Sequence, residues 1–89
     1  MSDRENIERI FAEAKNLCLA KNEDYASSIR EVSDLAPDIT PCDAILVRMG
    51  DKISRFRSLR AKGTAAVDET MRDTMLDLAN YGLLWCMLK

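Results

Sequence analysis

Four side chains of one segment, Glu69, Asp73, Asp77 and Asn80, are spaced i, i+4, i+8 and i+11. On an α-helix, at about 100° per residue, they fall within an arc of about 80°. Their neighbours Met71, Arg72, Met75, Leu76, Leu78, Ala79 and Leu83 are mostly apolar, so the acids form a narrow line on an otherwise greasy helix. Like charges at i, i+4 repel by about 0.2–0.5 kcal/mol each, and by more when partly buried, so a compensating cation is expected. One candidate is a hard divalent ion, Mg²⁺ or Mn²⁺, which prefers oxygen ligands and suits stacked carboxylates completed by an adjacent helix. Another is protein: Arg48, Asp51, Lys52 and Arg55 sit at i, i+3, i+4 and i+7 of a second segment and bring cations that can pair with Asp73 and Asp77 directly. The two combine naturally. Carboxylates on a metal with arginine and lysine turned to phosphates is what phosphoanhydride chemistry needs, because cations neutralise the charge that builds on phosphoryl oxygens. The bland alternative is ordinary salt bridging or solvation of the acids.

These residues need elements to hold them, and the periodicity predicts about three amphipathic helices. Ser2 and Glu5 form an S-x-x-E capping box that starts the first. Ile7, Ile10, Phe11, Ala14, Leu17 and Cys18 then define one buried stripe, with Glu5, Glu8 and Glu13 on the opposite face. This helix is expected to run to about Leu19 or Lys21. Lys21 to Ser28 carries turn formers without periodicity and reads as a loop or kinked helix end. Ile29, Val32 and Leu35 predict a short amphipathic turn, and Ala36–Thr40, with Pro37, a connection. Thr40 caps the second helix, Pro41 takes its first position, and Asp43 adds negative charge to its first turn. Its apolar stripe is Cys42, Ile45, Leu46, Met49, Ile53 and Phe56, and Gly63 ends it after Arg60 and Lys62. Asp68 is expected to cap the third helix. From Tyr81 to Leu88 that helix is apolar nearly all round, and such a helix is buried by partners on every side.

Composition narrows the rest. The 89 residues make one domain, 1–89, that buries only roughly 60% of its unfolded surface. No histidine is present, which removes imidazole bases and histidine triads. Cys18, Cys42 and Cys86 are odd in number without a CxxC pair and read as small core hydrophobes, as Trp85 and the methionines read as packing. With disulfides and zinc excluded, oligomerisation is the remaining way to stabilise so small a core. The expected architecture is therefore all-α: a helical bundle completed by self-association into a dimer or tetramer. A net charge of −2 with pI near 5.1 gives no electrostatic case for nucleic acid. The basic run Arg55, Arg57, Arg60 and Lys62 lacks interleaved aromatics and reads as a solvated face. No apolar signal region opens the chain and no run approaches the roughly 20 residues of a membrane span, so a cytoplasmic protein without a membrane partner is expected.

Three blocks taken together resemble a known family: Lys21-Asn22-x-Asp24-Tyr25, then Arg48-x-x-Asp51-Lys52-x-x-Arg55, then Asp68-Glu69-x3-Asp73-Thr-x2-Asp77-Leu-x-Asn80-Tyr81. Small phage and bacterial proteins labelled nucleotide-modification associated carry KNxDYG, R-x-SDK-x-x-R and DE-x3-DTLLDLxNY. They are similar to the MazG-like all-α nucleoside triphosphate pyrophosphohydrolases. The resemblance spans about residues 14 to 84. It departs from the pattern at Ala26, where the small family has glycine, at Gly50, where it has serine, and in lacking the paired EExxE of the MazG group. It implies an oligomer in a bacterial or phage-infected cytoplasm that binds a (d)NTP with Mg²⁺ (or Mn²⁺) and cleaves its α–β phosphoanhydride through a metal-activated water. On that reading Glu69, Asp73 and Asp77 are catalytic and, with Asp51, hold the metal. Arg48, Lys52 and Arg55 contact phosphates, while Lys21, Asn22, Asp24, Tyr25 and Asn80 border the base or sugar. The rival expectation is a catalytically inactive phage protein that binds a nucleotide or a host factor on the same scaffold.

Overall fold

A computed structural model describes the backbone of residues 1–63 and 65–89, and the side chains of residues 1–21, 31, 34–63 and 70–89. Three helices make up the fold: α1 (Asp3–Leu35), α2 (Pro41–Arg60) and α3 (Ala65–Leu88), with no strand among the described residues. The all-α expectation holds.

Helix α1 departs from its expected length. It begins at the expected serine, with the Glu5 amide donating to Ser2 Oγ at 3.2 Å; the return bond runs from the Ser2 hydroxyl to Glu5 Oε1 at 3.1 Å, in place of the backbone bond of a full capping box. It then continues through Lys21–Ser28, where a loop or kink was expected, and through the separate turn expected at Ile29–Leu35. The reason is that asparagine, aspartate and serine each weaken a helix by well under about 1 kcal/mol, whereas only glycine and proline break one outright. No glycine or proline precedes Pro37. Pro37 then stops the helix by disfavouring helical torsions at Ala36.

The start of α2 follows the sequence closely. Thr40 is extended (φ −74°, ψ 159°) and its hydroxyl accepts from the Asp43 amide at 3.1 Å, while the Asp43 carboxylate accepts from the Thr40 amide at 3.4 Å. At the far end α2 closes at Arg60 with Ala61 still in helical torsions (φ −69°, ψ −19°), and Gly63 reverses the chain with φ +63°, a torsion that a residue with a Cβ adopts at a cost of about 1–2 kcal/mol. Helix α3 starts at Ala65, so Asp68 is its fourth residue and not its cap.

The core lies between α2 and α3, where Ala44 and Ile45 pack against Tyr81 and Leu84. Cys18 of α1 and Ile39, Met49, Trp85 and Leu88 close around that cluster. The C-terminal half of α3 is thus partly covered within the chain: Tyr81 and Leu84 are buried, but Leu83, Cys86 and Met87 are exposed. The stripe expected to be buried on α1 is mostly not. Ala14 is buried and Leu17 and Cys18 partly so, while Ile7, Ile10 and Phe11 face solvent because α2 and α3 do not reach over them. No described helix is long and apolar enough to cross a membrane.

Candidate functional site

Asp77 is the carboxylate on which the three helices converge. It lies midway along α3, is only 8% exposed, and takes a lysine from each of the other two helices. Lys52 Nζ of α2 is 3.1 Å from Asp77 Oδ2, and Lys21 Nζ of α1 is 3.7 Å from Oδ1. Burying a carboxylate without a partner costs several kcal/mol, so this pairing is a condition of the helix packing. The lysines keep their own access to water, with side chains 43% (Lys21) and 30% (Lys52) exposed. Their aliphatic stems lie along the helices while the ammonium groups stay at the rim. Asp77 therefore holds two cations side by side at the edge of the three-helix junction.

One turn further along α3, Asn80 is fully buried. Its Nδ2 donates to the Ala14 carbonyl oxygen at 3.1 Å, and its Oδ1 has no hydrogen-bond partner. Asn80 thus pins α3 to α1 and offers no surface to solvent. Thr74, also buried, donates its hydroxyl to the Thr70 carbonyl at 2.9 Å. Of the expected acidic line, then, the end nearest the core is built into the structure. Asp73, one turn before Asp77, is exposed beside Arg72.

The remaining expected residues divide between two places. Arg48, half-buried, and Asp51, exposed, line a groove of about 330 Å³ with Ile39, Ala44 and Val47. Arg55 is exposed on the next turns of α2. The side chains of Asn22, Asp24, Tyr25 and Glu69 lie outside the described residues, although their backbones belong to α1 and α3. Among the described residues, no three acidic or cysteine side chains gather into a group that holds a metal ion.

Two features were not anticipated from the sequence. Lys21, expected at the end of the first helix and beside the base or sugar, meets the acidic line itself. Glu13, expected on a solvated face, forms a bidentate pair with Arg72 of α3, both bonds 2.7 Å long. That hydrogen-bonded guanidinium pulls the Glu13 carboxyl below its ordinary pKa and raises that of Arg72. The available signal was Arg72, a lone cation on an apolar flank of α3.

The positions converging at Asp77 are also positions of a family pattern. The model for nucleotide modification associated domain 1 matches residues 21–88. The chain belongs to that family. The nucleotide modification associated match opens at Lys21 and takes in Lys52, Asp73, Asp77 and Asn80, whereas the first turns of α1, including Ile7, Phe11 and Glu13, precede it. Comparison with curated proteins gave no match, and comparison with solved structures gave none.

Proposed function

We propose that this member of the nucleotide modification associated family binds a nucleotide through its phosphates at the Lys21–Asp77–Lys52 junction and cleaves the α–β phosphoanhydride with the help of a divalent cation. The observation that carries the reading is the buried Asp77 carboxylate holding two rim-exposed ammonium groups from two different helices. Two cations fixed by one carboxylate match the spread of charge on a polyphosphate, and fixing them beforehand lowers the entropic cost of gripping it. Arg48 and Arg55 of α2 extend the basic side of the junction. Asn22, Asp24 and Tyr25, one to four residues beyond Lys21, are assigned to the sugar and base.

Mg²⁺ or Mn²⁺ is the expected ion because Asp51, Glu69, Asp73 and Asp77 offer oxygen alone. The described acids do not by themselves gather into a metal-holding group, so such an ion would be held in part by the phosphates of the nucleotide. Of these four acids, Asp51 and Asp73 are the exposed ones among the described side chains. When bound, such an ion supplies neutralisation of phosphoryl charge and an acidified water. The chain's own contribution is to hold and orient the phosphates with Lys21 and Lys52 and to keep Asp77 ionised between them.

A second reading, a nucleotide binder without turnover, is favoured by the same geometry, because lysines already occupy both oxygens of the innermost carboxylate. Pyrophosphate release measured across the common ribo- and deoxyribonucleoside triphosphates, with and without Mg²⁺ or Mn²⁺, separates the two. Metal-dependent release by the native chain that falls at least about a hundredfold in Asp73→Asn supports the hydrolase. Binding without release for every nucleotide rejects the catalytic step and leaves the binder.

A further inference from the structure

We propose that the exposed apolar face shared by the first turns of α1 and the middle of α3 is an interface between two copies of this chain. Ile10, Phe11 and Ala14 on one side and Leu76, Ala79 and Leu83 on the other line a groove of about 220 Å³. These positions follow helical spacing on both elements, so each helix turns one continuous stripe toward the groove. Phe11 is 65% exposed and Leu83 55%. Ala14 and Leu76 are already buried, while Ile10, Phe11, Ala79 and Leu83 have the composition of a core and the exposure of a surface.

Area identifies the occupant. The chain exposes 6498 Å², whereas a compact protein of 10.1 kDa exposes about 5,300 Å². The excess over a compact chain is about 1,200 Å². A stable association needs about 800 Å² from each partner, which the excess supplies. Charge around the groove fits a second copy better than a partner of one sign. Arg4 pairs with Glu8 and Arg72 with Glu13, and Arg9 adds its field at Glu13. A rim with both signs is self-complementary when the same patch meets itself about a two-fold axis, whereas a strongly acidic or basic partner gains nothing from it. Packing two such faces sets two helices of each copy against each other and removes Phe11 and Leu83 from water.

Sedimentation of the full chain across a wide concentration range tests this. The native chain is expected to sediment as a species of twice 10.1 kDa. Phe11→Asp and Leu83→Asp, each with native helical circular dichroism, are expected to sediment as monomers, with dissociation constants raised at least about a hundredfold. Ile53→Asp, an exposed apolar residue on α2, is expected to leave association unchanged. A native chain that is monomeric at every concentration, including one that instead captures a different protein, overturns the proposal. So does a dimer indifferent to both substitutions. Should the charged variants lose helicity, p-benzoylphenylalanine at position 11 of the otherwise native chain serves instead. A photo-adduct joining position 11 to α3 of a second chain is expected, and an adduct confined to a single chain overturns the interface.

Discussion

Asp77 and Asn80 differ in what they ask of their surroundings, and that difference predicts how substitutions behave. Removing Lys52 takes the shorter of the two lysine contacts from a carboxylate that is 8% exposed and leaves the 3.7 Å contact to Lys21. Lys52→Met is therefore expected to destabilise by about 1–3 kcal/mol. Asp77→Asn leaves a lysine that is already at the rim and able to turn to water, and its amide oxygen still accepts from Lys52, so its cost is expected near 1 kcal/mol. Urea denaturation of both variants reads the asymmetry, and an equal or reversed order would show that the pair is not buried as described. At Asn80 the order is set by polarity: Asn80→Asp puts a carboxylate against the Ala14 carbonyl in a dry site and is expected to cost above about 3 kcal/mol. Asn80→Ala, which only forfeits the hydrogen bond, costs about 1–2 kcal/mol. The two melting temperatures should rank accordingly.

At the scale of helices, caps and punctuation explain which boundaries were legible. Thr40, Pro41 and Asp43 declare the start of α2 by residue type alone, because each satisfies or removes an orphan amide. Thr40→Ala is expected to cost about 1 kcal/mol in thermal melting. The run of α1 past Lys21 was not legible by the same means, since turn-forming residues only tilt the balance while proline decides it. Nor was the site wholly legible: the i, i+4, i+8 spacing located Asp77 and the α2 stripe located Lys52, but that Lys21 is its second partner depends on how α1 crosses α3. The pairing of Glu13 with Arg72 was hidden as well, because sequence periodicity fixes faces within a helix and says nothing of how two helices cross. That pair gives α1 its link to α3 and a pH signature. Its stabilisation requires ionised Glu13, whose pKa is lowered on folding. The contribution is thus complete above the ordinary glutamate value of about 4.3 and is lost as pH falls through the lower folded value. Native chain and Glu13→Gln are expected to differ in melting temperature near neutral pH and to converge in acid, once pH falls below the lowered pKa of the folded carboxyl. A difference that persists unchanged at low pH would rule the ion pair out as its source.

For the molecule as a whole, the buried core is small and concentrated between α2 and α3, and the family pattern covers that half with the lysine-bracketed carboxylate. The first turns of α1, outside the pattern, supply the apolar face that the single chain leaves uncovered. The proposed association also draws on Leu76, Ala79 and Leu83 of α3, whereas the proposed binding rests on Lys21, Asp77 and Lys52, so a Phe11 variant is expected to spare binding. The most direct measurement of the account is calorimetric titration of nucleoside triphosphates, with Mg²⁺ present, into the native chain and into Lys52→Gln/Asp77→Asn, a double variant that replaces the ion pair with two amides able to bond each other. Saturable binding to the native chain, weakened at least tenfold in a double variant with unchanged helicity, is the expected result. Equal affinity in the two proteins, or no nucleotide bound by the native chain at millimolar concentration, would contradict it.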